Sequence, residues 1–374
     1  MTQNDSLENQ RQYFIENKAQ ASYFDWLRSK GTSYSCYKEF NEHMDSEYKI
    51  TDELNIYQTI IYIIHTPMKF TFFYWTIVVF ILHKFNFKKT VMKILLLHFV
   101  LRSIGDILNE IGNLFNNYFS VDKFGNCSYY SYSVEQHPLK WFVTRQVASL
   151  FWYGGEIFAD WYPLIRIKAI TKSYKYIKYV YITCGLYNLS KIALCLLNFG
   201  LRPSDLYDSK GVYNEEYIQS FYYIYWIFQL IKFYTLFIYE IAIYFTMKKS
   251  LKELDVDKSD IGFLKKFKNL SEYRMLSLAI FSALFLPIIT LTVVLKFTVF
   301  KKKGYNGIDF SLEEVRRSYT NIQYYMIFID QIFLFISKYE TIQLNSYHSD
   351  NNNNNFMNTK NDNSKNSSDS RNYK

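Results

Sequence analysis

The sequence predicts an all-α, polytopic membrane protein built as a bundle of seven transmembrane helices. Three observations predict it. Apolar residues gather into stretches of about 20 residues or more, enough at 1.5 Å per residue to cross a ~30 Å hydrocarbon layer. The 374-residue chain is 20% aromatic, with Tyr 36 and Trp 6, and these two residue types suit membrane–water interfaces. The net charge of +9 sits mostly between the apolar runs, where the positive-inside rule places it, and not in a nucleic-acid-binding patch. Mean hydropathy is only -0.14, because Tyr scores as weakly polar and both ends of the chain are very polar.

Residues 1–55 form a polar N-terminal region with amphipathic helix character from Leu7 to Arg28. Residues 1–30 contain no apolar core of a signal peptide, so the first membrane helix is expected to act as an uncleaved anchor. Residues 56–345 form the membrane domain. Its apolar segments run roughly 68–85 (with an upstream extension before Pro67), 91–115, 141–165, 177–200, 218–247, 275–297 and 319–339. Residues 346–374 are an Asn/Ser-rich tail including Asn351–Asn355, too poor in apolar groups to fold and expected to be disordered.

The connections after segments one, three and five are the basic ones. They hold Lys84, Lys88 and Lys89, then Arg166 to Lys178, then Lys248 to Arg274. The alternate set is poorer, with Lys123, Lys140, Arg202 and Lys210 before a basic stretch from Lys301 to Arg317. This asymmetry predicts an outside N-terminus and a cytoplasmic tail. Cys36 and Cys127 then lie outside, where a disulfide and two free thiols are both open readings. Cys184 and Cys195 read as packing residues. Of the glycosylation sequons, Asn4 and Asn126 face outward, Asn269 and Asn366 inward, and Asn188 lies within a span.

Ionisable residues inside a span are costly and normally face the bundle interior with partners. Segment two carries Arg102, Asp106 and Glu110 on one helical face; segment three carries Glu156 and Asp160. Segment four carries Lys191, segment five Lys232 and Glu240, and segment seven Asp330. Counting helical rise from the inner boundary puts Arg102, Glu156 and Asp330 at a common depth of about 15 Å. They are expected to cluster, either as a structural tie or as a switch or ion site. Asp106, Glu110, Lys191 and Lys232 fall nearer the outer half and are expected to line an outward cavity.

Two local patterns carry a family resemblance. Phe281, Phe285 and Pro287 of segment six resemble an F-x-x-C-W-x-P pattern, with Phe285 in the place of Trp and Leu284 in the place of Cys. At the inner end of segment three, Asp160-Trp161-Tyr162 resembles Asp-Arg-Tyr, with Trp161 in the place of Arg. With the seven-segment layout, over about residues 60–345, the chain resembles the G-protein-coupled receptors. Segment seven has no Asn-Pro-x-x-Tyr motif. The resemblance implies a hinge at Phe281, Phe285 and Pro287, an unknown outside ligand, a cytoplasmic signalling partner and a plasma-membrane location. The alternative is a seven-helix channel or transporter, such as a gustatory-receptor-like channel with its N-terminus inside. No H-E-x-x-H, G-x-S-x-G or phosphate-loop motif occurs, and no His pair has metal-ligand spacing within one helix. No enzyme activity, cofactor, metal site or nucleic-acid partner is therefore expected; the lipid bilayer is.

Overall fold

In the computed structural model, residues 7–170, 174–254, 262–303, 315–336 and 339 are described. The tail 346–374, the sequons at Asn4 and Asn366, and Lys338 lie outside them. The chain is mostly helical. Among the described residues, three helices are long and apolar enough to cross a membrane, at Tyr176–Gly200, Glu215–Ser250 and Met275–Thr298, and a bent pair, Glu47–Lys69 with Phe73–Leu82 at 49°, makes up to four.

The N-terminal region folds into a small cap, and the long helix expected from Leu7 to Arg28 does not form. Its first part is a 3-10 turn at Arg11–Tyr13, after which the Ile15 amide donates to the Gly31 carbonyl at 3.0 Å and pulls the chain extended. Helix α1 (Tyr23–Arg28) starts at a capping box between Ser22 and Asp25, which satisfies amides that a helix start leaves open. Helix α2 (Tyr34–His43) is capped by Ser33. Strands β1 (Asn117–Val121) and β2 (Cys127–Tyr130) form an antiparallel hairpin. The N-terminal segment lies along β1: the Phe119 amide donates to the Lys30 carbonyl at 3.0 Å and Thr32 donates back to Phe119 at 2.8 Å. A Cβ on Gly31 would stand 2.1 Å from the Phe119 carbonyl oxygen, so glycine permits this approach. The Cys36–Cys127 disulfide, Cα–Cα 5.4 Å, closes the contact. A third strip, the 201–214 connection, adds Leu206 and Tyr207 to Trp26, Tyr118 and Trp141 in a shared core.

Below the cap stand long helices. The upstream extension of segment one is a helix of its own, α3 (Ser46–Lys69), separated by a break at Phe70–Phe72 from the short α4 (Phe73–Leu82). Pro67 lies in the last turn of α3, where a proline weakens the ladder. Helix α5 (Thr90–Ile111) rises to the cap. The return starts at α6 (Pro138–Trp141), passes a π-helical turn at Phe142–Val147 and continues as α7 (Ala148–Ile170). Then come α8 (Tyr174–Gly200), α9 (Glu215–Leu254) and α10 (Gly262–Lys303). The last, α11, covers residues 315–336.

The outward faces are apolar. Ile61 and Ile64 on α3, Leu189 and Leu196 on α8, and Leu284, Ile288 and Leu291 on α10 are all exposed, while Arg102, Glu156, Asp160, Lys191 and Lys232 are buried. A soluble bundle turns its charges outward; this one turns them inward, as a bilayer demands.

Two outcomes follow for the cap. The disulfide spans a sequence separation of 91, so Cys36→Ser or Cys127→Ser should cost about 2–4 kcal/mol. Thermal unfolding and limited proteolysis of the purified chain would show it, and the double variant should match either single. The second concerns His137, the N-cap of α6. Burial, with the Lys140 charge second, pushes its imidazole from 6.5 down to about 3. The folded cap holds it neutral, so the unfolded chain binds the extra proton as pH falls below 6.5. Cap stability should therefore drop between pH 6.5 and about 3, by at most about 1.4 kcal/mol per pH unit. His137→Asn, which keeps a capping side chain, should flatten that slope in thermal melts.

Candidate functional site

The polar interior begins at the seam of α5 and α7, which small residues hold close. A Cβ on Gly105 would stand 2.4 Å from Trp152 Cδ1, and one on Gly155 3.0 Å from Arg102 Cγ. Such close approach is how membrane helices associate when lipid offers no hydrophobic drive. Across this seam Arg102 Nη1 donates to Glu156 Oε1 at 2.6 Å. The arginine also lies over the Phe70 ring, 5.6 Å from its centroid. His98, one turn away on α5, meets the Gly155 carbonyl at 3.0 Å, bringing side chain to backbone across the same seam.

Lys191 of α8 extends the pair into a network. Its Nζ lies 2.6 Å from Asp160 Oδ2 and 3.3 Å from Glu156 Oε2. It also donates to the Tyr324 hydroxyl at 3.1 Å, and Tyr324 of α11 donates to Asp160 Oδ1 at 3.2 Å. Tyr239 of α9 donates to the Asp160 backbone carbonyl at 2.8 Å. The lysine is fully buried, with 0% of its surface exposed. Glu156 and Asp160 stand at i, i+4 on α7, so one face of α7 presents two carboxylates and α5, α8, α9 and α11 each bring a donor to it. The charges of Lys232 and Arg316 also act on Glu156.

A second layer lies further along α7. Arg166 and Asp330 form an ion pair, Tyr162 donates to Asp330 Oδ2 at 3.1 Å, and Gln331 donates to the Tyr162 hydroxyl at 3.1 Å. Asp330 therefore does not join Arg102 and Glu156. The expected common depth counts Glu156 back from Arg166 and Asp330 back from Glu340, but α7 continues past Arg166 to Ile170 and Arg166 is buried. Asp330 sits level with Tyr162 and Arg166, about 9–15 Å along α7 from Glu156.

The expected outer cavity does not assemble either. Lys191 and Lys232 are both buried. Lys191 belongs to the network, and Lys232 lies over the rings of Tyr153 and Phe233, 5.4 Å from each. Asp106 accepts from Trp152 Nε1 at 2.8 Å, and Glu110 accepts from Asn113 at 3.0 Å. Asp106 and Glu110 are engaged near the upper end of α5, while Lys191 and the Lys232 charge act on the carboxylates of α7, so the four do not line one cavity. At the expected hinge, Phe281 and Phe285 stack at 4.1 Å with Phe281 against Tyr319 at 6.3 Å, and Pro287 lies inside α10. Asp160 and Tyr162 lie within α7 and not at its inner end, and Trp161 between them is exposed.

Sequence reasoning missed the Lys191–Asp160 bond, the pairing of Arg166 with Asp330 of α11, and Tyr324. The signal for the first was present: Asp160 shares a face with Glu156, and a buried lysine on the next helix needs an acid. Nothing in the periodicity singles out Tyr324 among 36 tyrosines. Among the described residues no group of three or more His, Cys, Asp or Glu could hold a metal ion. No protein-family model, curated protein or solved structure matches this chain.

Removing a single partner strands a buried charge, which costs about 3–5 kcal/mol. Lys191→Ala leaves two carboxylates together on α7 and should be the most damaging substitution in the network, seen as loss of folded protein in detergent and a lowered thermal transition. Lys191→Arg should recover part of it.

Proposed function

We propose that this chain is a seven-span membrane receptor, with its cap outside and its basic connections in the cytoplasm, that passes an outside ligand signal to a cytoplasmic signalling protein. The observation that carries the reading is the cap. It joins the N-terminal region, the α5–α6 connection and the α8–α9 connection at one end of the bundle, and a disulfide ties the first two. Disulfides persist in oxidising compartments, which supports an outside cap. Lys84, Lys88 and Lys89 lie at the other end, between α4 and α5, which supports a cytoplasmic side there.

Seven spans follow if the bent α3–α4 pair counts as one and α5, α7 and α11 join α8, α9 and α10. The charges of α5, α7 and α11 lower their hydropathy, yet Arg102, Glu156, Asp160, Arg166 and Asp330 point inward and are paired, so the lipid meets mainly apolar faces. An ion network spanning four helices is a suitable two-state element, since a change in pairing would move helices relative to one another. The cap supplies the outward surface on which a ligand acts. A plasma-membrane location accords with an outward cap, and the Asp-Arg-Tyr likeness lends no support for a particular effector, because Asp160 and Tyr162 are occupied inside the bundle.

Terminal tags test this. On intact cells a tag on the N-terminus should be open to protease and antibody, and a tag on the C-terminus closed until the membrane is permeabilised. A protected N-terminal tag with the protein at the cell surface would overturn the receptor layout in favour of a channel or transporter.

A further inference from the structure

Between the hairpin and the 207–215 strip, on the outer side of the cap, lies a half-open cavity of about 460 Å3, within the size range of small-molecule sites, about 300–1,000 Å3. Tyr118, Tyr130, Tyr207 and Tyr213 line it. Tyr118 and Tyr207 are buried and pack ring to ring at 5.1 Å, and Tyr213 lies edge-on to Tyr207 at 5.9 Å. The two buried hydroxyls are engaged, Tyr207 with the Gln136 carbonyl of the cavity wall at 2.5 Å and Tyr118 with Ser29 at 2.9 Å. Tyr118 and Tyr207 thus offer ring surface and not free hydroxyls.

Three charged side chains also line the cavity, Asp122, Lys123 and Glu215. Asp122 is committed to the hairpin turn, accepting from the Phe124 and Asn126 amides at 2.8 Å each and from Asn126 Nδ2 at 3.1 Å. Lys123 and Glu215 are left, and they face each other across the mouth at 3.2 Å. Lys123 is 58% exposed and Glu215 36%, so their bond is of the weak surface kind and opens at little cost. Glu215 is steadied from behind by Gln219, which donates to its other oxygen at 3.3 Å.

We propose that this cavity binds a small zwitterion with an aromatic or bulky apolar side chain, of the α-amino-acid type. Its ammonium pairs with Glu215, its carboxylate pairs with Lys123, and its side chain lies on the tyrosine floor. Binding exchanges one exposed ion pair for two charge-assisted ones, so neither protein charge is left unpartnered, while an aromatic floor also favours an approaching ammonium. A ligand with one charge alone would break the Lys123–Glu215 pair and replace only half of it. The inference rests on the reading of the cap as the outward, ligand-receiving face, and it deepens that reading by naming the ligand class and the site.

Calorimetric titration of the full chain in lipid nanodiscs tests it with three probes. These are L-phenylalanine, phenethylamine, which lacks the carboxylate, and 3-phenylpropionate, which lacks the amine. L-Phenylalanine should bind saturably, and each one-ended probe about tenfold or more weaker. Lys123→Ala should weaken L-phenylalanine and 3-phenylpropionate about tenfold and tighten phenethylamine, which then has no Lys123–Glu215 pair to break. Glu215→Gln should weaken L-phenylalanine and phenethylamine and, for the same reason, tighten 3-phenylpropionate. Both side chains are on the surface, and an unchanged thermal transition in each variant confirms that the fold survives. Absence of saturable L-phenylalanine binding, equal affinity for all three probes, or a uniform effect of either variant overturns the proposal. Binding is read on purified protein, so it fails or succeeds independently of the tag topology that tests the receptor layout.

Discussion

Burying a charged lysine in the interior of a helical bundle is costly unless an acid stands beside it, and Lys191 has two. That single requirement organises the interior. Glu156 and Asp160 lie one turn apart on α7, so Lys191 fixes the rotation of α8 against α7. Arg102 does the same for α5 from the other side of Glu156, and Tyr324 does it for α11 through Asp160. Ion pairs in a low-dielectric interior gain little over apolar packing, but leaving one member alone is costly. The network therefore selects one register among helices whose outer faces are mainly apolar and could otherwise slide or turn against one another.

The close seam of α5 and α7 is the counterpart of this electrostatic constraint. Gly105 and Gly155 let the helices approach until Arg102 reaches Glu156 at 2.6 Å; larger residues there would hold the charges apart. At the other end the cap adds a covalent constraint. Its disulfide joins the N-terminal region to the hairpin between α5 and α6, and its aromatic core packs on the tops of α6 and α9 through Trp141 and Phe221. Cap and ion network thus meet through α5 and the α6–α7 helix.

Much of this was legible in the sequence, for definite reasons. Segments four, five and six coincide with the three helices apolar enough to cross a membrane by themselves, because length and hydropathy alone mark such a span. The i, i+4 spacing of Glu156 and Asp160 put them on one face, and Arg102 was paired with Glu156 from depth. Periodicity identifies a face and not its neighbour, so Lys191 and Lys232 were misplaced in an outer cavity. Arg166 reads as a loop charge because basic residues follow it, so its pairing with Asp330 is not expected from the sequence. The cap is not legible because its core residues Trp26, Tyr118, Trp141 and Tyr207 come from three polar stretches and the start of one helix, separated in sequence by the apolar segments.

The central claim is that Arg102 and Glu156 act as a pair that holds α5 to α7. A double-mutant cycle on thermal stability in nanodiscs tests it most directly, with Arg102→Met, Glu156→Gln and the two combined. Glu156→Gln strands Arg102 and should cost about 3–5 kcal/mol, and Arg102→Met, which leaves Glu156 with Lys191, should cost less. The double variant, which removes one charge of each sign, should lose far less than the sum, with a coupling energy of about 1–3 kcal/mol. Losses that simply add would show that the two side chains stabilise the bundle independently, and would contradict the account.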